Sequence, residues 1–421
     1  MKVAARLFAC LLTACLQTSA VQAEEFSFDA SEFEKKPFEF GGYVEFKAER
    51  ARLNRDSSFY QLNSLNGDTL DRTAATLKLN AKYTQGIASL NLKGSAEVRR
   101  DDLSSERIER FDEAYVSFQP DPGFTLDVGK RALKWGKGYA WNPVGFVERA
   151  KDPNDPELAR EGFTMVTADV IRNFDGDLKT VAFTPVLLPV NDRTNDDFGT
   201  SGHLNVAAKL YLLWHDTDID FTWLGHGSRT PRFGIDFSRN LSSTLEVHGE
   251  WARIRHVEQR SIDASGTVTA RTRDATSYLL GLRYLTESDT TWIVEYYRNG
   301  MGYTEGQLTD FHALVDSGNP LLFNKAKQIN PSYARANAGE RYAYLRVSQK
   351  EPFDIVYFTP AATLIANLED RSWSLTPELL YTGITNIDLR LRATWLKGNS
   401  TTDFGEKQNA RKLELMARFY F

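Results

Sequence analysis

The chain has 421 residues, 25% of them charged and 42% hydrophobic, with 12% aromatics and a formal net charge of −5. That hydrophobic share excludes a disordered chain. No run of ~18 apolar residues follows the N-terminus, which excludes a helical membrane span, and the net acidity argues against a nucleic-acid partner.

In chain order, residues 1–23 read as a secretory signal. Lys2 and Arg6 supply the positive start, Leu7 to Leu16 the apolar core, and Val21-Gln22-Ala23 a small-x-small cleavage site. Leu12-Thr13-Ala14-Cys15 is an alternative, because it resembles a lipoprotein processing box. Cys10 and Cys15 both lie in this leader, so cleavage after Ala23 leaves a chain without thiols or disulfides. Residues 24–36 are acidic with Phe26, Phe28 and Phe33 interspersed, a tail or a plug. No linker-like composition shift divides 37–421, which is read as one domain.

From there the sequence alternates with a period of two, the signature of strands whose side chains point to opposite faces. The alternation predicts strands over 37–51, 73–84, 88–100, 111–119, 124–134 and 164–172. It continues over 178–186, 203–214, 217–224, 232–239, 244–257 and 275–286. The last six are 291–298, 341–350, 353–366, 373–383, 387–397 and 411–421. In the final strand Leu413, Leu415, Ala417, Phe419 and Phe421 share one face, and Lys412, Glu414, Met416, Arg418 and Tyr420 the other.

Links alternate between turns such as Gln85-Gly86 and longer polar stretches, the longest being 135–163 and 299–340. A closing strand that ends on an aromatic resembles the outer-membrane β-barrel proteins. That resemblance implies apolar side chains toward lipid, a wet lumen, short periplasmic turns and long external loops. The expected fold is therefore all-β: a transmembrane antiparallel β-barrel of 16 to 18 strands, best counted as 18. Trp135, Trp214, Trp223, Trp251, Trp373 and Trp395 lie near strand ends, where an interfacial girdle is expected.

Parity then assigns the lumen wall. Lys78, Lys82, Lys93, Arg99, Arg131, Arg390 and Arg392 point inward, as do Glu97, Asp127, Glu246, His248, Glu250 and Asp388. Across all inward positions the signs nearly cancel, so the count sets no ion preference. Bare charge in lipid would cost ~2–4 kcal/mol at mid-bilayer, which keeps these groups in water or in pairs.

The run Gly129-Lys130-Arg131-Ala132-Leu133-Lys134-Trp135-Gly136-Lys137-Gly138 resembles the corresponding strand end of porin-like families, alginate-export-type barrels among them. The likeness spans about 35 residues and carries architecture but no substrate. In general porins the third external loop folds inward and narrows the channel. The matching loop here holds Lys137, Glu148, Arg149, Lys151, Asp152, Asp155, Glu157, Arg160 and Glu161, and these are the expected constriction residues. Within the longest link Leu308, Phe311, Leu314 and Val315 fall at helical spacing, which predicts a helix over the mouth.

His248 between Glu246 and Glu250 is the one triad-like feature, but it faces inward as a wall residue, and no catalytic site is expected. Scattered histidines give no metal-ligand spacing, and there is no phosphate-binding loop or dinucleotide fold signature, so no cofactor is expected. The expected function is a channel for small hydrophilic solutes in the bacterial outer membrane. Its partners would be membrane lipid, the solute and possible further copies of the chain. A plugged, non-conducting barrel serving as receptor, scaffold or export partner is the alternative.

Overall fold

The computed structural model describes residues 37–102, 104–155 and 161–421. The leader and the acidic 24–36 segment lie outside the described residues.

The first six strands are β1 (Phe38–Leu53), β2 (Thr69–Gln85), β3 (Ala88–Asp101), β4 (Ser105–Asp121), β5 (Phe124–Arg131) and β6 (Phe163–Asn173). Next come β7 (Leu178–Val190), β8 (His203–Trp214), β9 (Thr217–Leu224), β10 (Arg232–Asn240), β11 (Leu245–Ile262) and β12 (Val268–Leu285). The set ends with β13 (Thr290–Arg298), β14 (Arg341–Gln349), β15 (Phe358–Asn367), β16 (Trp373–Ile384), β17 (Ile387–Lys397) and β18 (Asn409–Tyr420). Each pairs antiparallel with its sequence neighbours, and β1 pairs with β18, which closes an 18-stranded barrel. Closure leaves no sheet edge unpaired.

The seam is tight. Phe421 and Gly42 exchange backbone hydrogen bonds of 3.1 Å in both directions. A Cβ on Gly42 would run into the Lys78 carbonyl and crowd the Phe421 ring at 3.1 Å, so this position needs glycine. Phe40 packs on Phe421 and Phe46 on Phe419, with ring centroids 6.2 and 6.3 Å apart.

The outer face is apolar and exposed, with Phe40, Leu77, Leu90, Leu282, Leu391 and Leu415 among its members. The inner face buries polar and charged groups such as Lys78, Asp127, Asp220, His248, Glu295 and Arg392. This is the inverse of a soluble sandwich and the pattern of a lipid-embedded barrel.

The structure departs from the sequence reading in several places. β11 and β12 continue to Ile262 and from Val268, so their link is a tight hairpin where a long loop was expected. The β3–β4 link shortens in the same way. A backbone ladder needs no apolar face once it leaves lipid, so strands outrun the alternation that announces them. The opposite happens between β14 and β15, where a two-residue turn was expected. β15 begins only at Phe358, after a loop in which Glu351, Phe353, Asp354 and Tyr357 all take positive φ. Trp135 leaves the expected girdle altogether, because it is buried among Val144, Phe146, Phe163 and Met165.

At the long-loop end, helices α1 (Ser58–Leu62), α2 (Glu305–Asp316) and α3 (Pro320–Tyr333) form a cap. Thr304 and Gln307 make a reciprocal capping box at the start of α2. Its apolar stripe of Leu308, Phe311, Leu314 and Val315 is buried, as its spacing predicts, against Phe59, Leu62, Ile262 and Tyr333.

Candidate functional site: a loop held across the lumen

Residues 132–155 leave β5 and run inside the barrel instead of away from it. Their anchoring begins with the wall carboxylates. Glu250 on β11 accepts hydrogen bonds from the backbone N–H groups of Lys137 (2.7 Å), Gly138 (2.6 Å) and Val144 (3.2 Å). Glu295 on β13 accepts from Tyr139 N–H and from Ala140 N–H at 2.9 Å. Each carboxylate is buried and receives charge-assisted bonds, the stronger class of hydrogen bond. Gly136 has no room for a side chain because the Glu250 carboxylate presses on it, and Gly138 none because the Trp141 carbonyl and Leu279 do.

The loop then reaches further. Trp141 stacks on Tyr297 at 4.9 Å and donates from its indole to Asn337 at 3.2 Å, touching β13 and the cap-bearing link. Lys137 Nζ pairs with Asp220 on β9 at 2.9 Å. Burial alone would lower its pKa, but Asp220, helped by Asp236 and Asp218, outweighs burial and holds it above the usual lysine value. Tyr139 donates to Glu246 at 3.1 Å, and burial together with that carboxylate pushes its hydroxyl up to about 12. On the far side Asp155 meets Arg390 at 3.1 Å and Arg392 at 3.5 Å, both on β17. One loop from β5 thus touches β9, β11, β13 and β17.

The other expected loop residues divide between bracing and turn. Glu148 accepts from Trp135 N–H and from the Asn142 amide (3.3 Å), which ties the loop to itself. Arg149 pairs with Asp197 and with Glu161 (3.5 Å) and lies 4.7 Å over the Phe163 ring. Lys151 donates to the Gly138 carbonyl, and Glu161 also pairs with Lys130. Asp152 accepts from Asn154 N–H at 2.9 Å, a local turn. Glu157 and Arg160 lie outside the described residues.

The wall residues form pairs. Lys78 meets Asp112 at 2.9 Å, Lys93 meets Glu113, and Arg99 meets Glu97 at 2.7 Å. Arg131 bonds Asp127 and approaches Asp169 at 3.7 Å. Arg390 bonds Glu414 at 3.2 Å, and Arg392 bonds Glu378 at 2.5 Å. Asp388 accepts from the Tyr420 hydroxyl at 2.7 Å. Lys82 is exposed opposite Glu39 at the turn end of β2. His248 is buried, with Nε2 3.0 Å from Glu295 and Nδ1 3.5 Å from Glu246, which makes it a wall residue that braces a loop anchor.

Within several pairs the acid sits deep and the base reaches out. The Lys93 side chain is 50% exposed against 10% for Glu113, and Arg131 26% against 4% for Asp127. In these pairs the near balance of signs hides a radial separation, carboxylate at the wall and cationic tip toward the water, whereas Arg392 and Glu378 are equally buried.

Several partners were missed by sequence reasoning. Asp220 and Asp236 face each other across β9 and β10, both buried, and parity against Ile219, Phe221, Ile235 and Phe237 would have found them. The same holds for Glu295 and Glu378. Asp112 and Glu113 are adjacent yet both buried, because the ladder slips a register at Lys93/Gly94, and parity fails at such a bulge.

No family model matches the chain, and no curated protein matches it in sequence. Solved structures match it in fold. OccK5 (OpdH) of Pseudomonas aeruginosa is 14% identical with a TM-score of 0.54, covering 91% of this chain and 97% of its own. OccK11 (OpdR) of the same organism is 13% identical with a TM-score of 0.53, over 91% and 95%. OprD of P. aeruginosa is 11% identical with a TM-score of 0.52, over 92% and 97%. At such identities the likeness carries the barrel fold and nothing finer.

Proposed function

We propose that the protein is a porin-like channel of the bacterial outer membrane that passes small hydrophilic solutes through a lumen narrowed by 132–155. The observation that carries this reading is the path of the loop. Its backbone is bonded to Glu250 and Glu295 on one side of the barrel, and Asp155 is paired with Arg390 and Arg392 on another. The apolar outer face supports a lipid surround, and the likeness to the OprD and Occ barrels supports a porin-like assignment. The alginate-export part of the resemblance rests on the short stretch that begins at Gly129, and the channel reading does not need it. Lys137, Asp155, Arg390 and Arg392 would set the local field along the path.

Purified protein in planar bilayers should give discrete single-channel steps, with a reversal potential in a salt gradient that depends on the loop charges. A membrane that stays sealed at every voltage, both for the wild type and for a variant lacking 138–154, would rule the channel out. The apolar core of the cap favours a second reading, a barrel shut until the cap moves. That reading predicts steps only after 305–333 is removed.

A further inference from the structure

On the outer face of the seam, at the long-loop end, Arg52 of β1 stands directly opposite Arg411 of β18. Like charges in opposite positions repel and weaken a ladder. Among the described residues neither guanidinium has a hydrogen-bond or ion-pair partner. The acids nearby are already engaged: Asp71 is paired with Arg50 at 2.6 Å, and Asp68 with Arg55 at 2.7 Å. Lys412 points the other way, to Glu49 at 3.1 Å inside the barrel. The two arginines line an open groove of about 410 Å³ with Arg50, Trp395, Leu413 and the Arg55-paired Asp68. Trp395 lies opposite Arg411 on β17, and Leu413 opposite Arg50. Below the groove the outer face is purely apolar, with Phe46, Leu391, Leu413 and Leu415 exposed.

We infer that this groove binds the phosphate-bearing headgroup of a membrane lipid. Two free guanidinium forks suit a phosphate, which accepts bidentate charge-assisted bonds. The tryptophan sits at headgroup level, and the apolar strip beneath takes the acyl chains. The outer leaflet of a bacterial outer membrane is built from a phosphorylated glycolipid, so lipid A is the fitting class. An anion held between Arg52 and Arg411 also removes their repulsion at the strand pair that closes the barrel. The inference rests on the membrane-embedded reading above, but not on conduction.

Full-length protein in detergent micelles is titrated with bis-phosphorylated lipid A, with fully dephosphorylated lipid A of the same acyl chains, and with inorganic phosphate. Native mass spectrometry counts the bound lipid. The phosphorylated form should bind at least about tenfold more tightly, two arginines near the surface being enough for that ratio. R52Q/R411Q should erase the preference, and R52K/R411K should keep most of it. Equal binding of the two lipids by the wild type overturns the proposal without recourse to any variant. So does displacement of lipid A by millimolar inorganic phosphate, which would mark a free-anion site. An equal loss in R100Q/R107Q, on neighbouring strands β3 and β4, would mark diffuse attraction and overturn it as well. Insertion and conductance in phosphatidylcholine bilayers free of lipid A test the channel reading separately.

Discussion

The two long insertions on the external side both bury apolar side chains, but only the first adds a set of buried polar anchors. Residues 132–155 bury Trp135, Val144, Phe146 and Val147 in one apolar cluster and Ala140 and Trp141 in another, and add to that packing backbone N–H groups on buried carboxylates and ion pairs to distant strands. The cap is held by an apolar core in which Phe311 stacks on Tyr333 at 4.1 Å and Tyr333 on Tyr303 at 4.1 Å. Polar anchoring is directional and fixes a loop in one place, but it fails sharply when one partner goes, because a buried donor left unpaired costs ~1–3 kcal/mol. Apolar packing is graded and tolerant of small shifts. A wall that must hold a defined aperture is served by the first, and an element that must pack as a unit by the second.

The comparison breaks most visibly at Glu250. Removing its carboxylate in Glu250→Ala strands three backbone donors at once, a loss on the order of 3 kcal/mol or more. The loop should leave its seat and single-channel conductance should rise at least about twofold, with the heat-resistant gel mobility of the folded barrel unchanged. Unchanged conductance would mean that apolar packing alone seats the loop.

Phe311→Ala should cost the cap ~3 kcal/mol, the usual scale for deleting a buried ring. Protease should then cut between 299 and 340 while the barrel stays intact. Global unfolding instead would show that cap and barrel are not separable.

The third test is acid. His312 is buried among Phe59 and Phe311, and burial, helped by the Lys407 charge, pushes its pKa down to about 3. The folded cap keeps it neutral, whereas an opened cap would take up a proton below the ordinary histidine pKa of ~6.5. Cap stability is therefore complete above that value and falls as pH drops toward 3, by about 2 kcal/mol at pH 5. Protease sensitivity of 299–340 should rise between pH 7.5 and 5, and His312→Phe should flatten the dependence. A wild-type profile flat over that range would sink the assignment.

The smallest effect is electrical. Asp155→Asn releases Arg390 and Arg392 from a shared acid without removing any anchor on β11 or β13. The reversal potential should move toward anion preference by a few tens of millivolts at most, with conductance nearly constant. A shift toward cations would place Asp155 outside the conducting path.

Much of this was legible from period-two alternation, which gave the strand number and the two faces. It failed where strands continue beyond the apolar zone, as in β11 and β12, because hydrogen bonding persists after the alternation ends. The loop was visible as a glycine-led polar insertion, and Asp155 and Lys137 were picked out by charge. Arg390 and Arg392 were picked out as inward wall residues, but Asp220 and Glu295 were not, since they lie on strands that only closure brings near the loop. Trp135 misled because a tryptophan near a strand end suits an interface and a packed interior equally well. The radial separation of acid from base in pairs such as Lys93 with Glu113 has no linear signature: it comes from side-chain length on a curved wall.

The seam between β1 and β18 also bears on how the chain acquires its shape. Glu45 and Arg418, which pair across it at 2.6 Å, are 373 residues apart in sequence. Every other strand pairing can form as a local hairpin, one neighbour at a time, but this one has to wait for both ends of the sheet to exist. Loop-closure entropy falls most heavily on that last contact. Until it forms, two strands of ten residues or more present open edges that invite the wrong partner. Loss of the final dozen residues would remove only one strand in length, yet it would leave the sheet permanently unsealed.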